Sequence, residues 1–122
     1  MITALHHVQL AMPEAGEDRA RGFYHELLDI PEREKPEQLN ANGGCWFENE
    51  RVRVHLGIEE DFRPATKAHP AFQASNFDNL MEKLKNAGYR IYPVEAIDDH
   101  ARFFVQDPFG NRIEFINAES EF

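Results

Sequence analysis

Four side chains of types that bind divalent cations stand out in this sequence: His7, His55, His69 and Glu114. Neutral imidazoles and a carboxylate together suit Zn²⁺, Ni²⁺, Mn²⁺ or Fe²⁺. Such ions take nitrogen and oxygen donors at about 2.0–2.2 Å and keep positions open for water and substrate. A thiolate site is excluded because Cys45 is the only cysteine. A single histidine on a strand is more often solvated or hydrogen-bonded than a ligand. What sets these four apart is that they recur at matched places in a repeated pattern.

Strand parity gives the pattern its meaning. From Leu5 to Met12 the residues alternate, with His7, Gln9 and Ala11 on one side and His6, Val8, Leu10 and Met12 on the other, as a half-buried strand requires. Ala20, Phe23, Tyr24, Leu27 and Leu28 then fall on one stripe of an amphipathic helix that ends near Asp29 before Pro31. Asn42-Gly43-Gly44 and Asn49-Glu50 are turn signals around a strand at Cys45-Trp46-Phe47. In the strand Arg51 to Ile58, Val52, Val54, Leu56 and Ile58 form the apolar face, with Arg53, His55 and Gly57 opposite.

After an aperiodic linker at Glu59 to Lys67 the order repeats. His69 to Ala74 reads as a strand with His69, Ala71 and Gln73 on one face. A helix carrying Leu80, Met81, Leu84 and Ala87 follows, capped by Asn76 or Asp78 and stopped at Gly88. Strands at Arg90 to Val94 and Ala101 to Gln106 come next. A turn over Asp107-Pro108-Phe109-Gly110-Asn111 leads into a last strand with Arg112, Glu114 and Ile116 on one side and Ile113 and Phe115 on the other.

Two halves of one pattern predict an α+β fold of two βαβββ modules within a single domain spanning 1–122, module one about 1–60 and module two about 67–122. His7 and His69 open the first strand of each half, and His55 and Glu114 lie in the last strand of each half. Gln9 and Gln73 follow the opening histidines on the same faces. Arg53 and Arg112 share the parity of His55 and Glu114. A guanidinium there binds an anionic substrate or closes an ion pair. These four residues are the candidate substrate contacts. Parity puts His6 on the helix side of its strand, His25 off its helix's apolar stripe and His100 at a strand entrance, so none of the three is expected at the ion. Arg63 and Lys67 lie on the linker, and Trp46 and Phe104 read as packing residues.

Composition bounds the partners. Forty-two per cent hydrophobic residues, including ten phenylalanines, are enough for a core in one domain. A net charge of −9 without a basic cluster opposes nucleic-acid binding. No apolar run is long enough for a membrane span and no signal segment is visible, so a soluble cytoplasmic protein with a small-molecule substrate is expected. The lone cysteine agrees with a reducing compartment.

The runs Leu5-His6-His7-Val8-Gln9-Leu10, Phe23-Tyr24-His25-Glu26-Leu27-Leu28 and Asp107-Pro108-Phe109-Gly110-Asn111-Arg112-Ile113-Glu114-Phe115 resemble the vicinal oxygen chelate superfamily. Its members include glyoxalase I, the bleomycin resistance proteins, the fosfomycin-modifying enzymes and the extradiol dioxygenases. The resemblance implies a glyoxalase-like fold: paired modules forming a curved, cup-shaped mixed sheet with helices outside, around a divalent metal. His7 matches the first-strand ligand, His69 the ligand opening the second module and Glu114 the carboxylate of the last strand. His55 stands where glyoxalase I has a glutamate that shuttles the substrate proton, and it either ligates or acts as acid or base, with Glu114 the other catalytic candidate. If His55 does not ligate, the other three form a two-His, one-carboxylate triad.

The activity implied is a metal-dependent lyase or isomerase of glyoxalase type. A sequestering protein of the bleomycin resistance type, a dioxygenase or a fosfomycin-type transferase are the alternatives, and the short chain speaks against an extradiol dioxygenase. The superfamily builds its cup from one chain or from two, and a homodimer is the default expectation.

Overall fold

The computed structural model describes residues 1–117 and divides at Pro64/Ala65 into two compact units. The first contains β1 (Val8–Met12), α1 (Glu17–Ala20) running on as a π-helix over Arg21–Leu27, β2 (Glu32–Arg33), α2 (Glu37–Asn40), β3 (Cys45–Glu48) and β4 (Arg53–Ile58). The second contains β5 (Ala71–Ala74), α3 (Phe77–Asn86), β6 (Tyr92–Ile97), β7 (His100–Gln106) and β8 (Arg112–Asn117). The sheet orders are β1-β4-β3-β2 and β5-β8-β7-β6. In each unit the first and last strands run parallel and the remaining pairs antiparallel. This is the α+β fold of two βαβββ modules, the glyoxalase-like arrangement.

Each sheet buries one apolar face on its helix. In the first unit Leu10, Met12, Phe47, Val54 and Leu56 of the sheet are buried, as are Ala20, Phe23 and Tyr24 of the helix, with the Tyr24 and Phe47 rings stacked at 5.6 Å. In the second, Phe103 lies 5.0 Å from Phe77 and 5.3 Å from Phe115. Burying each such aromatic contributes roughly 2–3 kcal/mol. The other face of each sheet carries the polar candidates.

Register makes the duplication concrete. His55 lies between Gln9 of β1 and Trp46 of β3, and Glu114 lies between Ala71 of β5 and Phe104 of β7. Two residues earlier, Arg53 opposes Glu48 and Arg112 opposes Gln106. The counterpart of Gln9 is therefore Ala71. Gln73 sits one step further along the face, opposite Ile116.

Three local readings change. β1 and β5 start at Val8 and Ala71, so His6, His7 and His69 precede their strands, and alternation no longer assigns His6 a side. The first helix widens, with Leu28 N–H donating to Phe23 O at 3.0 Å. That extra residue per turn rotates Leu27 and Leu28 off the fully buried stripe. Neither Asn76 nor Asp78 caps α3 through its side chain. Asn76 occupies the left-handed region at φ 49° and its carbonyl accepts from Leu80 N–H. Among the described residues, no helix is long and apolar enough to cross a membrane.

Candidate metal and acid-base site

In the second unit, β8 carries Glu114 on the face away from α3, where the carboxyl is buried at 4% exposure. Its backbone N–H donates to Pro70 O at 3.1 Å, fixing the segment just before β5. That segment holds His69. The His69 imidazole donates Nδ1–H to Lys67 O at 2.9 Å, which turns Nε2 toward the sheet. Nε2 faces Glu114 Oε1 at 2.9 Å. A ring nitrogen and a carboxylate oxygen at this distance need a proton or a cation between them. Ligands at about 2.1 Å and a right angle on one ion lie about 3 Å apart, so this spacing also fits two neighbouring ligands. The other carboxylate oxygen accepts from Arg102 Nη1 at 3.3 Å.

In the first unit, β4 carries His55, 5% exposed, sandwiched between two rings. Trp46 stacks on one face at 4.2 Å and 8°, and His7 on the other at 4.4 Å and 20°. Glu48 accepts from His55 Nε2–H at 2.6 Å, leaving the Nδ1 lone pair exposed to chemistry. Burial lowers the His55 pKa, the Glu48 hydrogen bond works against this, and the neighbouring His7 adds to the lowering. The net result is a neutral imidazole near pH 7. Burial raises the Glu48 pKa, but hydrogen bonds from His55 and Arg33 outweigh it and hold the carboxyl below its usual range. The pair therefore rests as imidazole and carboxylate.

The four expected metal residues thus come as two pairs, His7 with His55 and His69 with Glu114. Among the described residues no group of three His, Cys, Asp or Glu side chains is gathered as an ion site. Of the expected substrate contacts, Gln9 lies in the hollow containing His7 and His55. Arg53 reaches His6 O and Glu48, and Arg112 stacks over Phe104 at 3.9 Å. Gln73 is exposed at its register position. His25 accepts from Glu32 N–H, a structural contact. Lys67 contributes through its carbonyl, and Arg63 is exposed. His6, set aside by parity, has its Nδ1 3.0 Å from that of His7. His100 is buried at the head of β7. Sequence reading missed Glu48 and Arg102, and it read Trp46 as a packing residue without its partner, the His55 ring. Pairing the strands across the Asn49 turn would have put Trp46 opposite His55 and Glu48 diagonal to it.

The Glyoxalase/Bleomycin resistance protein/Dioxygenase superfamily pattern matches residues 4–115. The chain belongs to that superfamily. Among solved structures it is similar to a glyoxalase family protein from Bacillus anthracis, with 43% identity, 96% of each chain covered and a TM-score of 0.90. The fosfomycin resistance protein FosX from Listeria monocytogenes shares the fold at 17% identity, covering all of this chain and 96% of its own, with a TM-score of 0.74. A further FosX structure, complexed with Mn(II) and sulfate, aligns at 16% identity over 96% of this chain and 91% of that one, with a TM-score of 0.75. No protein with a curated description matches the chain. Within this superfamily member, the motif Asp107 to Asn111 is a structural turn. Asp107 Oδ1 accepts from Phe109 and Asn111 N–H at 2.9 Å each, Asn111 Nδ2 donates to Asp107 Oδ2 at 3.0 Å, and Asn111 Oδ1 accepts from Ala65 N–H.

Proposed function

We propose that this superfamily member is a divalent-metal-dependent enzyme of glyoxalase type. His7, His69 and Glu114 would hold the ion, supplied by one chain or by two, and His55 would serve as the acid-base group. The observation that carries the reading is the His69–Glu114 pair: Nε2 stands 2.9 Å from a buried carboxylate oxygen, a contact that needs a proton or a cation, with Nδ1–H already committed to a backbone carbonyl. That is how a ligating histidine is oriented, its second nitrogen donating to a fixed acceptor. FosX, of the same fold, takes Mn(II), which is compatible with the donor set.

When bound, the ion supplies a Lewis acid for two neighbouring oxygens of a small substrate. The chain's own residues do the rest. Arg102 orients the Glu114 carboxylate through Oε2. Glu48 fixes the tautomer of His55, so that Nδ1 accepts or returns a proton, and the Trp46 and His7 rings hold the imidazole plane. Glu48 on Nε2 leaves Nδ1 as the one atom through which His55 acts, and in this reading that atom takes the acid-base role.

Metal titration with Zn²⁺, Ni²⁺, Mn²⁺ and Fe²⁺, read by calorimetry and elemental analysis, tests this. Wild type and His55→Ala are expected to bind ion stoichiometrically. Glu114→Ala and His69→Ala should weaken binding by more than the 10–100-fold typical of an orienting residue. A wild-type chain without a stoichiometric site sinks the reading. Loss of the ion in His55→Ala would instead make His55 a ligand.

A further inference from the structure

The first unit contains a hollow of about 470 Å³ on the polar side of its sheet, into which His7 and His55 both face. Its charged lining is Arg33, Lys35 and Glu48, a balance of +1 in a chain whose formal charge is −9. Both oxygens of Glu48 are engaged, one by His55 and the other by Arg33 Nη1 at 2.8 Å, with Arg53 Nε a further 3.9 Å contact. One carboxylate therefore faces two guanidiniums. Lys35 has no carboxylate partner among the described residues: its ammonium donates to Gly43 O, a neutral acceptor, and two of its three protons remain for a ligand. Leu39 and Ile58, each more than a third exposed, supply an apolar wall.

We propose that this hollow binds an anion. The substrate of the site described above is then a small organic anion, whose carboxylate, phosphonate or phosphate group is held by Lys35 and Arg33 while its short apolar part lies against Leu39 and Ile58. This rests on the metalloenzyme reading for the word substrate, though not for the anion. The lining carries one more cation than carboxylate, a balance that favours an anion over a neutral molecule of the same shape. A charge-assisted contact to an ammonium is strong enough to dominate the affinity of so small a ligand.

The test is titration of the full chain, as purified and after chelation, with methylphosphonate and its neutral dimethyl ester, followed by calorimetry or by amide shifts. Methylphosphonate is expected to bind at least about tenfold more tightly than the ester. Lys35→Gln should weaken methylphosphonate at least about tenfold and leave the ester unchanged. Lys35→Arg should retain it, and Arg90→Gln, a cation in the other unit, should change nothing. Equal affinity for acid and ester, or wild-type binding by Lys35→Gln, overturns the proposal. Anion binding that appears only with metal and ignores Lys35 also overturns it, by assigning the anion to the ion. Metal titration of the same samples separates the two readings. Lys35-dependent binding without an ion site supports the hollow and removes the metalloenzyme, whereas a stoichiometric ion without such binding does the reverse.

Discussion

His55 has little freedom left: a ring on either face and a carboxylate on Nε2 fix both its plane and its tautomer. A group so constrained is useful for moving a proton at one atom, Nδ1, without reorganisation. One position away in register, Cys45 shows the opposite use of burial. Its thiol is 1% exposed on the helix side of β3, and burial pushes its pKa up to about 11. Two consequences follow. At pH 7–8 the folded chain should react with thiol reagents only at the rate of unfolding, since the thiolate is the nucleophile. The raised pKa also means the folded state keeps its proton longer than the unfolded state, whose thiol titrates near 9. Stability from this group is intact below pH 9 and declines as pH rises from 9 to 11, by up to about 3 kcal/mol. Urea unfolding of wild type beside Cys45→Ala across that range should show the decline in wild type in excess of the variant.

At the scale of elements, the turn over residues 107–111 does for unit two what side-chain contacts do for His55. Asp107 gathers two backbone N–H groups and the Asn111 amide, and Asn111 in turn receives Ala65 N–H while Arg112 N–H donates to Ala65 O. The turn thus clamps the entry to β5 against β8 and sets the distance from His69 to Glu114. Asp107→Ala strands buried donors and should lower stability by about 2–4 kcal/mol, read as a shift in the urea midpoint. Metal affinity should fall with it even though Asp107 touches no ligand.

The repeated strands, the parity of His55 and Glu114 and the matching of Arg53 with Arg112 were legible because a period of two survives in sequence. Glu48 and Arg102 were not, since a contact across a hairpin depends on register. Register at the Asn49 turn is set by the Arg51 and Val52 N–H groups, which both donate to Asn49 Oδ1. The π-helical widening of the first helix escaped for a similar reason. Local propensity carries no mark of it.

Across the whole molecule, duplication has been followed by division of labour at one register position. Where unit two keeps a carboxylate, Glu114, serviced by a histidine and an arginine, unit one has a histidine, His55, serviced by a carboxylate. The pairs are chemically inverted, so the halves are not interchangeable by single substitutions. His55→Glu would put two carboxylates where Glu48 and His55 now stand 2.6 Å apart. In a buried site this should cost about 3 kcal/mol or more at pH 7. Like-charge repulsion raises one folded-state pKa of the new pair, so the lost stability should return as pH falls through that value. Adding Glu48→Gln removes the second charge and supplies an amide donor. The double variant should therefore recover most of the loss at pH 7, with a coupling energy of about 2 kcal/mol. Urea unfolding of wild type, both single variants and the double variant, with chelator present, measures it. If the two substitutions were simply additive, Glu48 would not be the partner that defines His55, and the acid-base role assigned to that pair would fall with it.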